Sequence, residues 1–110
     1  MAKRDRGEQR SRVRVISHRL IREFCEAHPG DGAARAALDA WFKIVGRQTW
    51  ATFADVRATF AHADEVKGLV VFNVGGNKYR VVAEINYRQG YVFLKHVLTH
   101  KEYDRGDWRP

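Results

Sequence analysis

Cysteine is nearly absent from this chain. Cys25 stands alone, so it forms no internal disulfide, and nothing points to a secreted, bridge-stapled domain. A cytoplasmic location is expected by default. Long apolar runs are missing too: none approaches the roughly 20 residues of a transmembrane helix, and the charged start lacks the apolar segment of a signal peptide. A soluble chain without membrane contact is expected. Metal-ligand spacing is also wanting, because the five histidines are scattered and neither HExxH nor CxxC occurs. A zinc enzyme is rejected, and no cofactor is expected. Gly75-Gly76 lacks the Lys-Ser/Thr spacing and strand-to-helix setting of a phosphate loop, so a hairpin turn explains it better.

What the chain has in excess is positive charge. Lys and Arg number 20 against 13 acids, a formal net charge of +7 over 110 residues. Such a surplus points to a polyanionic partner, and the length suits one domain with one core. Residues 1–12, MAKRDRGEQRSR, carry five basic residues and no large apolar side chain after Met1. They read as a flexible basic tail ahead of a domain over residues 13–110.

Val13 to Ile16 alternates and is β-branched, which predicts a short first strand. Ser17 is placed to cap a helix from about His18 to Ala27, with Leu20, Ile21, Phe24 and Cys25 as its apolar stripe and Pro29-Gly30 as its end. Asp31 is the expected N-cap of a second helix whose face carries Ala34, Leu38, Trp41, Phe42 and Val45, with Gly46 at the C′ place. The pair reads as a helical hairpin that needs a third surface to cover. Thr52 is positioned to cap a short helix through Phe53, Val56 and Phe60, with Trp50 as an anchor at its start and these aromatics as core plugs.

Leu69 to Asp104 reads as three strands joined by two tight turns, the organising element of the chain. In the middle strand Tyr79, Val81, Ala83, Ile85 and Tyr87 should face the helices. Lys78 and Arg80 should lie on the other face. In the last strand Val92, Leu94, His96 and Leu98 take the helix side, making His96 a packed core histidine. Tyr91, Phe93 and Lys95 take the open side. Trp108 should pack back on the sheet rim.

The polar set Thr99 to Asp104 follows the last strand. Metal-free cleavage of RNA needs a group to take the 2′-hydroxyl proton, a cation for the charge growing on phosphate, and an acid for the leaving oxygen. Histidine, arginine, lysine and tyrosine suit those tasks. Each residue has a plainer use. Arg80 is a candidate ion-pair partner of Glu84 or another surface acid, and His100 a candidate for a cap or strand-end hydrogen bond. His18, His28 and His62 carry no evident role.

The stretches VVFNVGGNKYRVVAEINY and LTHKEYD, with VRVISHRLIREFCEAHP and TFADVRATF before them, resemble the HigB family of bacterial toxins within the RelE/ParE-like superfamily. The resemblance spans Val13 to Trp108. It implies an α+β, RelE-like fold: a short first strand and a two-helix hairpin packed on an antiparallel sheet of about four strands. It also implies an mRNA interferase, a metal-independent endoribonuclease that inhibits translation, commonly on the ribosome. The implied partners are messenger RNA and a helix-turn-helix, HigA-like antitoxin, with operator DNA reached only through the toxin–antitoxin complex. Carried onto this sequence, the catalytic set is Arg80, His100 and Tyr103, and the RNA-binding set is Lys78, Lys95 and Lys101. Two other readings need no titratable cluster: a ParE-like gyrase inhibitor and a non-catalytic RNA- or ribosome-binding module.

Overall fold

The computed structural model describes residues 12–110. The expected basic tail, apart from Arg12, lies outside the described residues. The elements run β1 (Arg14–Ile16), α1 (Arg19–Ala27), α2 (Gly32–Val45), α3 (Phe53–Thr59), β2 (Asp64–Val66), β3 (Leu69–Val74), β4 (Tyr79–Asn86), β5 (Tyr91–Thr99) and α4 (His100–Arg105). No helix among them is long and apolar enough to cross a membrane.

The sheet has five strands in the order β1-β5-β4-β3-β2, not about four, and it is mixed, not antiparallel. β1 lies parallel to β5, with Arg14 opposite Tyr91 and Ile16 opposite Phe93. The unexpected strand is β2, whose sequence Asp-Glu-Val has little strand propensity. It is set by its turn. Lys67 and Gly68 take φ of 51° and 85°, and a two-residue loop with both φ positive matches the twist of an antiparallel pair.

α1, α2 and α3 cover one face. Phe72 of β3 is fully buried, with the rings of Trp41, Trp50 and Phe60 centred 5.1, 6.1 and 5.3 Å away. These aromatics fill the core, as expected. The Asp31 side chain accepts from the Ala34 N–H and caps α2. Thr52 and Asp55 form a capping box on α3, each side chain accepting from the other's backbone N–H. Ser17 does not cap α1: its φ is 73°, the N-cap is His18, and no side-chain cap bond forms. Gly46 ends α2 in right-handed geometry rather than as a left-handed C′ residue.

The β3–β4 turn depends on Gly75. Its φ is +66°, and a Cβ there would stand 2.9 Å from Cδ2 of Tyr79 and 3.2 Å from Cβ of Ala37. A left-handed side chain costs about 1–2 kcal/mol before any clash. Gly75→Ala is therefore expected to lower unfolding stability by at least that amount, read as an earlier midpoint in urea.

A β-bulge changes which β5 residues share a face. Val82 pairs with His96 and Ala83 with Leu94, so Lys95 is the extra residue. Before the bulge, Val92 and Leu94 face the helices as expected. After it the alternation inverts. Val97 joins the helix-side core, whereas Leu98 packs with Val71, Val82 and Trp108 on the opposite face. His96, opposite Val82, goes with Leu98. The placement of His96 and Leu98 toward the helices is thus corrected, and His96 is no core histidine.

Candidate active site

The polar set after β5 is a helix. Thr99 caps α4 by accepting from the Glu102 N–H at 3.1 Å, while the Glu102 carboxylate accepts from the Thr99 N–H at 2.9 Å. Two orphan donors are satisfied at once, so the chain turns from strand to helix with no intervening loop. The turn carries α4 beneath the face that the other helices leave bare. Gly106, at φ 80°, ends α4, and Trp108 folds back onto Val71 and Val82 with 5% of its surface exposed. The Trp108 indole N–H donates to the Tyr103 carbonyl at 2.8 Å, and the two rings stack with centroids 4.9 Å apart.

Arg80 lies under this flap. It is on the face away from α1–α3, as expected, but only 7% exposed. Its guanidinium carbon sits 5.3 Å from the centre of the Tyr103 ring. Nη1 donates to the carbonyls of Asn77 and Tyr79 at 3.2 and 3.1 Å, and Nη2 to Oδ1 of Asn77 at 2.7 Å. Three of its five N–H donors are thereby used. Among the described residues all of its acceptors are neutral. The expected alternative, an ion pair with Glu84, does not form, because Glu84 is 3.5 Å from Lys95 Nζ. A buried cation held by neutral oxygens keeps its field and two free N–H groups for an incoming anion.

His100 is tied to the same turn by its backbone N–H, which donates to the Lys78 carbonyl at 2.9 Å. Its Nδ1 lies 2.9 Å from Oδ2 of Asp104, one helical turn on, and the ring is partly exposed. A carboxylate only accepts, so Nδ1 carries the proton and Nε2 is left as the basic nitrogen. Of the six expected residues, Arg80 and Tyr103 touch. His100 and Lys78 meet through the backbone, and exposed Lys101 follows on α4. Lys78 is exposed within the turn rather than in β4, and Lys95 is set apart along β5 in its pair with Glu84.

Four residues of this arrangement lay outside the expected set. Asn77 holds Arg80, Asp104 orients His100, and Trp108 backs Tyr103. The fourth is Asp31, which accepts from the Tyr79 hydroxyl in addition to capping α2. That bond to the Asp31 carboxylate pushes the Tyr79 phenol up to about 12, with burial adding to it. In return the hydroxyl holds Asp31 below its ordinary value of 3.8, against the effect of burial. The signs give a window at each end. Tyr79 contributes stability that is intact below pH 10 and is lost as the pH rises toward 12. Asp31 contributes stability present above pH 3.8 and lost as the pH falls below it. In Asp31→Asn one tyrosine should titrate closer to 10, read as the difference in phenolate absorbance between variant and parent. An unchanged alkaline titration would contradict the bond.

The whole site is one hub. The turn from Gly75 to Arg80 presents Asn77 and Tyr79 oxygens to Arg80 and the Lys78 oxygen to His100, and Asp31 anchors that turn to α2. The arrangement places a desolvated cation, an aromatic hydroxyl and an oriented imidazole at the junction of β4 and α4.

Known proteins are similar to this chain. The family model described as HigB_toxin, the RelE-like toxic component of a toxin-antitoxin system, matches residues 34–106. The mRNA interferase HigB of Escherichia coli O6:H1 is 30% identical over 96 residues, which cover 84% of this chain and 90% of that protein. The mRNA interferase toxin HigB of Escherichia coli K12 is 30% identical over 95 residues, covering 84% and 88%.

Proposed function

The chain belongs to the HigB family of RelE-like toxins, and on that premise we propose that it is an mRNA interferase, an endoribonuclease that cuts messenger RNA on the ribosome and so inhibits translation. It acts in the cytoplasm, as one domain over residues 13–110. Its cognate partner is a HigA-like helix-turn-helix antitoxin, and operator DNA is met only through that complex.

The observation that supports this most is the state of Arg80: buried, charged, stacked on Tyr103, with no carboxylate among the described residues to neutralise it. A phosphate fits that vacancy of charge. The 2′-hydroxyl attacks the adjacent phosphorus and gives its proton to Nε2 of His100. Arg80, with Lys78 or Lys101, stabilises the charge on the pentavalent phosphate. Tyr103 positions the phosphate or protonates the departing 5′-oxygen, and the products are a cyclic phosphate and a 5′-hydroxyl end. Lys95 holds RNA further along the sheet.

Induction of the wild-type chain should arrest growth and create new 5′-hydroxyl ends in transcripts, more of them when ribosomes are present. His100→Gln is expected to lower the cleavage rate by about 10²–10⁴-fold, the usual loss on removing a general acid or base. Growth arrest with intact transcripts would overturn the nuclease reading and favour a gyrase or ribosome-binding target.

A further inference from the structure

The α4–Trp108 flap covers only part of the helix-free face. It rests on Val71, Val82 and Leu98, and among the described residues no helix covers the other end, where β1 joins β5. Ahead of the bulge, Tyr91 and Phe93 alternate with the core residues Val92 and Leu94 and so stand on this bare end. Phe93 lies opposite Glu84 and Ile16, and Tyr91 opposite Asn86 and Arg14. Both rings are half-buried, in edge-to-face contact with centroids 5.8 Å apart. Half-exposed aromatics on a solvent-facing sheet are costly to leave in water, and two side by side need an occupant.

We propose that Tyr91 and Phe93 form a stacking platform for bases of single-stranded RNA, an accessory subsite on the same sheet face as the Arg80 centre. The proposal rests on the ribonuclease reading above. Charge decides the occupant. Exposed Arg14 flanks Tyr91, exposed Lys95 follows Phe93, and Arg88 stands in the turn before β5. Among the described residues paired there, the one carboxylate, Glu84, is engaged by Lys95 at 3.5 Å. Rings interleaved with cations are the composition that grips single strands, by stacking on bases and neutralising phosphates. A protein interface would instead centre on an apolar patch depleted of charge. From Phe93 to Leu98, the residue opposite Arg80, β5 runs roughly 16 Å at strand rise. An extended RNA of a few nucleotides spans that interval, passing Lys95 on the way.

The test uses the full chain, a 2′-O-methyl RNA oligonucleotide that cannot be cut, a long cleavable RNA and a trinucleotide. Tyr91→Leu and Phe93→Leu keep the sheet covered while removing the rings, and matching thermal melts confirm the fold. Each is expected to weaken oligonucleotide binding by about fivefold or more, the lower end of the loss of one stacked base. KM for the long RNA should rise by a similar factor at unchanged kcat, with trinucleotide cleavage unaffected. Wild-type affinity in both variants would overturn the platform. So would unaltered RNA binding accompanied by loss of self-association or of antitoxin binding, which would make the patch a protein interface. A wild-type chain that binds the oligonucleotide through these rings but cuts no RNA would overturn the ribonuclease reading alone.

Discussion

Arg80→Ala is expected to reduce RNA cleavage by roughly 10²–10³-fold, the loss seen when one preorganised donor to a developing oxyanion is removed, and to release cells from growth arrest. The argument is electrostatic. Arg80 is buried with its guanidinium over the Tyr103 ring, and its described partners are the neutral oxygens of Asn77 and Tyr79. Its charge would therefore act on the proposed phosphate at low effective dielectric, where each donor has more effect than in water. Arg80→Lys should be nearly as inactive. An ammonium keeps the charge but loses the planar fork that meets Asn77 on one edge and phosphate on the other, and it stacks poorly on Tyr103. Truncation also strips the Asn77 and Tyr79 carbonyls of a donor, at a cost of about 1–3 kcal/mol. Urea unfolding of both variants separates that loss from catalysis. A folded Arg80→Ala protein that cleaves within a few-fold of wild type would refute the assignment.

Much of this scaffold is written locally. The stripe of Ile21, Phe24 and Cys25, the Asp31 and Thr52 caps, and the Gly75-Gly76 turn each declare themselves within a few residues, and each stands as expected. What escaped is non-local. Val92, Leu94, His96 and Leu98 alternate without a break in the sequence. Only the pairing to β4 reveals that Lys95 is an inserted residue and that His96 and Leu98 change face. Likewise β1 acquires its direction from β5, far along the chain, and the Asp31–Tyr79 bond joins residues 48 apart. α4 is different, for its signal was present: Thr99-His100-Lys101-Glu102 is a capping-box pattern. With the helix assigned, the spacing of His100 and Asp104 predicts their pairing. Arg80 and Tyr103 were legible as chemistry, but their mutual stacking, and the burial that isolates Arg80, come from how α4 returns across the sheet.

That return hangs on Trp108, and Trp108→Ala is expected to cost about 3–5 kcal/mol of stability, the range for emptying a buried tryptophan site. The indole is 5% exposed, packs on Val71 and Val82, and donates to the Tyr103 carbonyl. α4 spans six residues and buries no side chain fully. A helix this short does not persist without tertiary contact, so the loss should fall on α4 before the sheet. Hydrogen exchange should then accelerate at Tyr103 and its helical neighbours while β3 and β4 stay protected. The kinetic consequence follows from geometry. Arg80 is held by Asn77 and Tyr79 on the sheet and stays charged, whereas Tyr103 loses its stacking partner and His100 its helical setting. kcat should fall steeply, and KM should change less, because the exposed lysines proposed to hold RNA are untouched by the substitution. Trp108→Phe distinguishes packing from the indole bond: a ring at that place should restore most of the protection and part of the rate. If Trp108→Ala unfolds as a unit with the sheet, showing no selective exchange at α4, then the flap and the sheet are one cooperative body. Trp108 would then act on catalysis only through global stability.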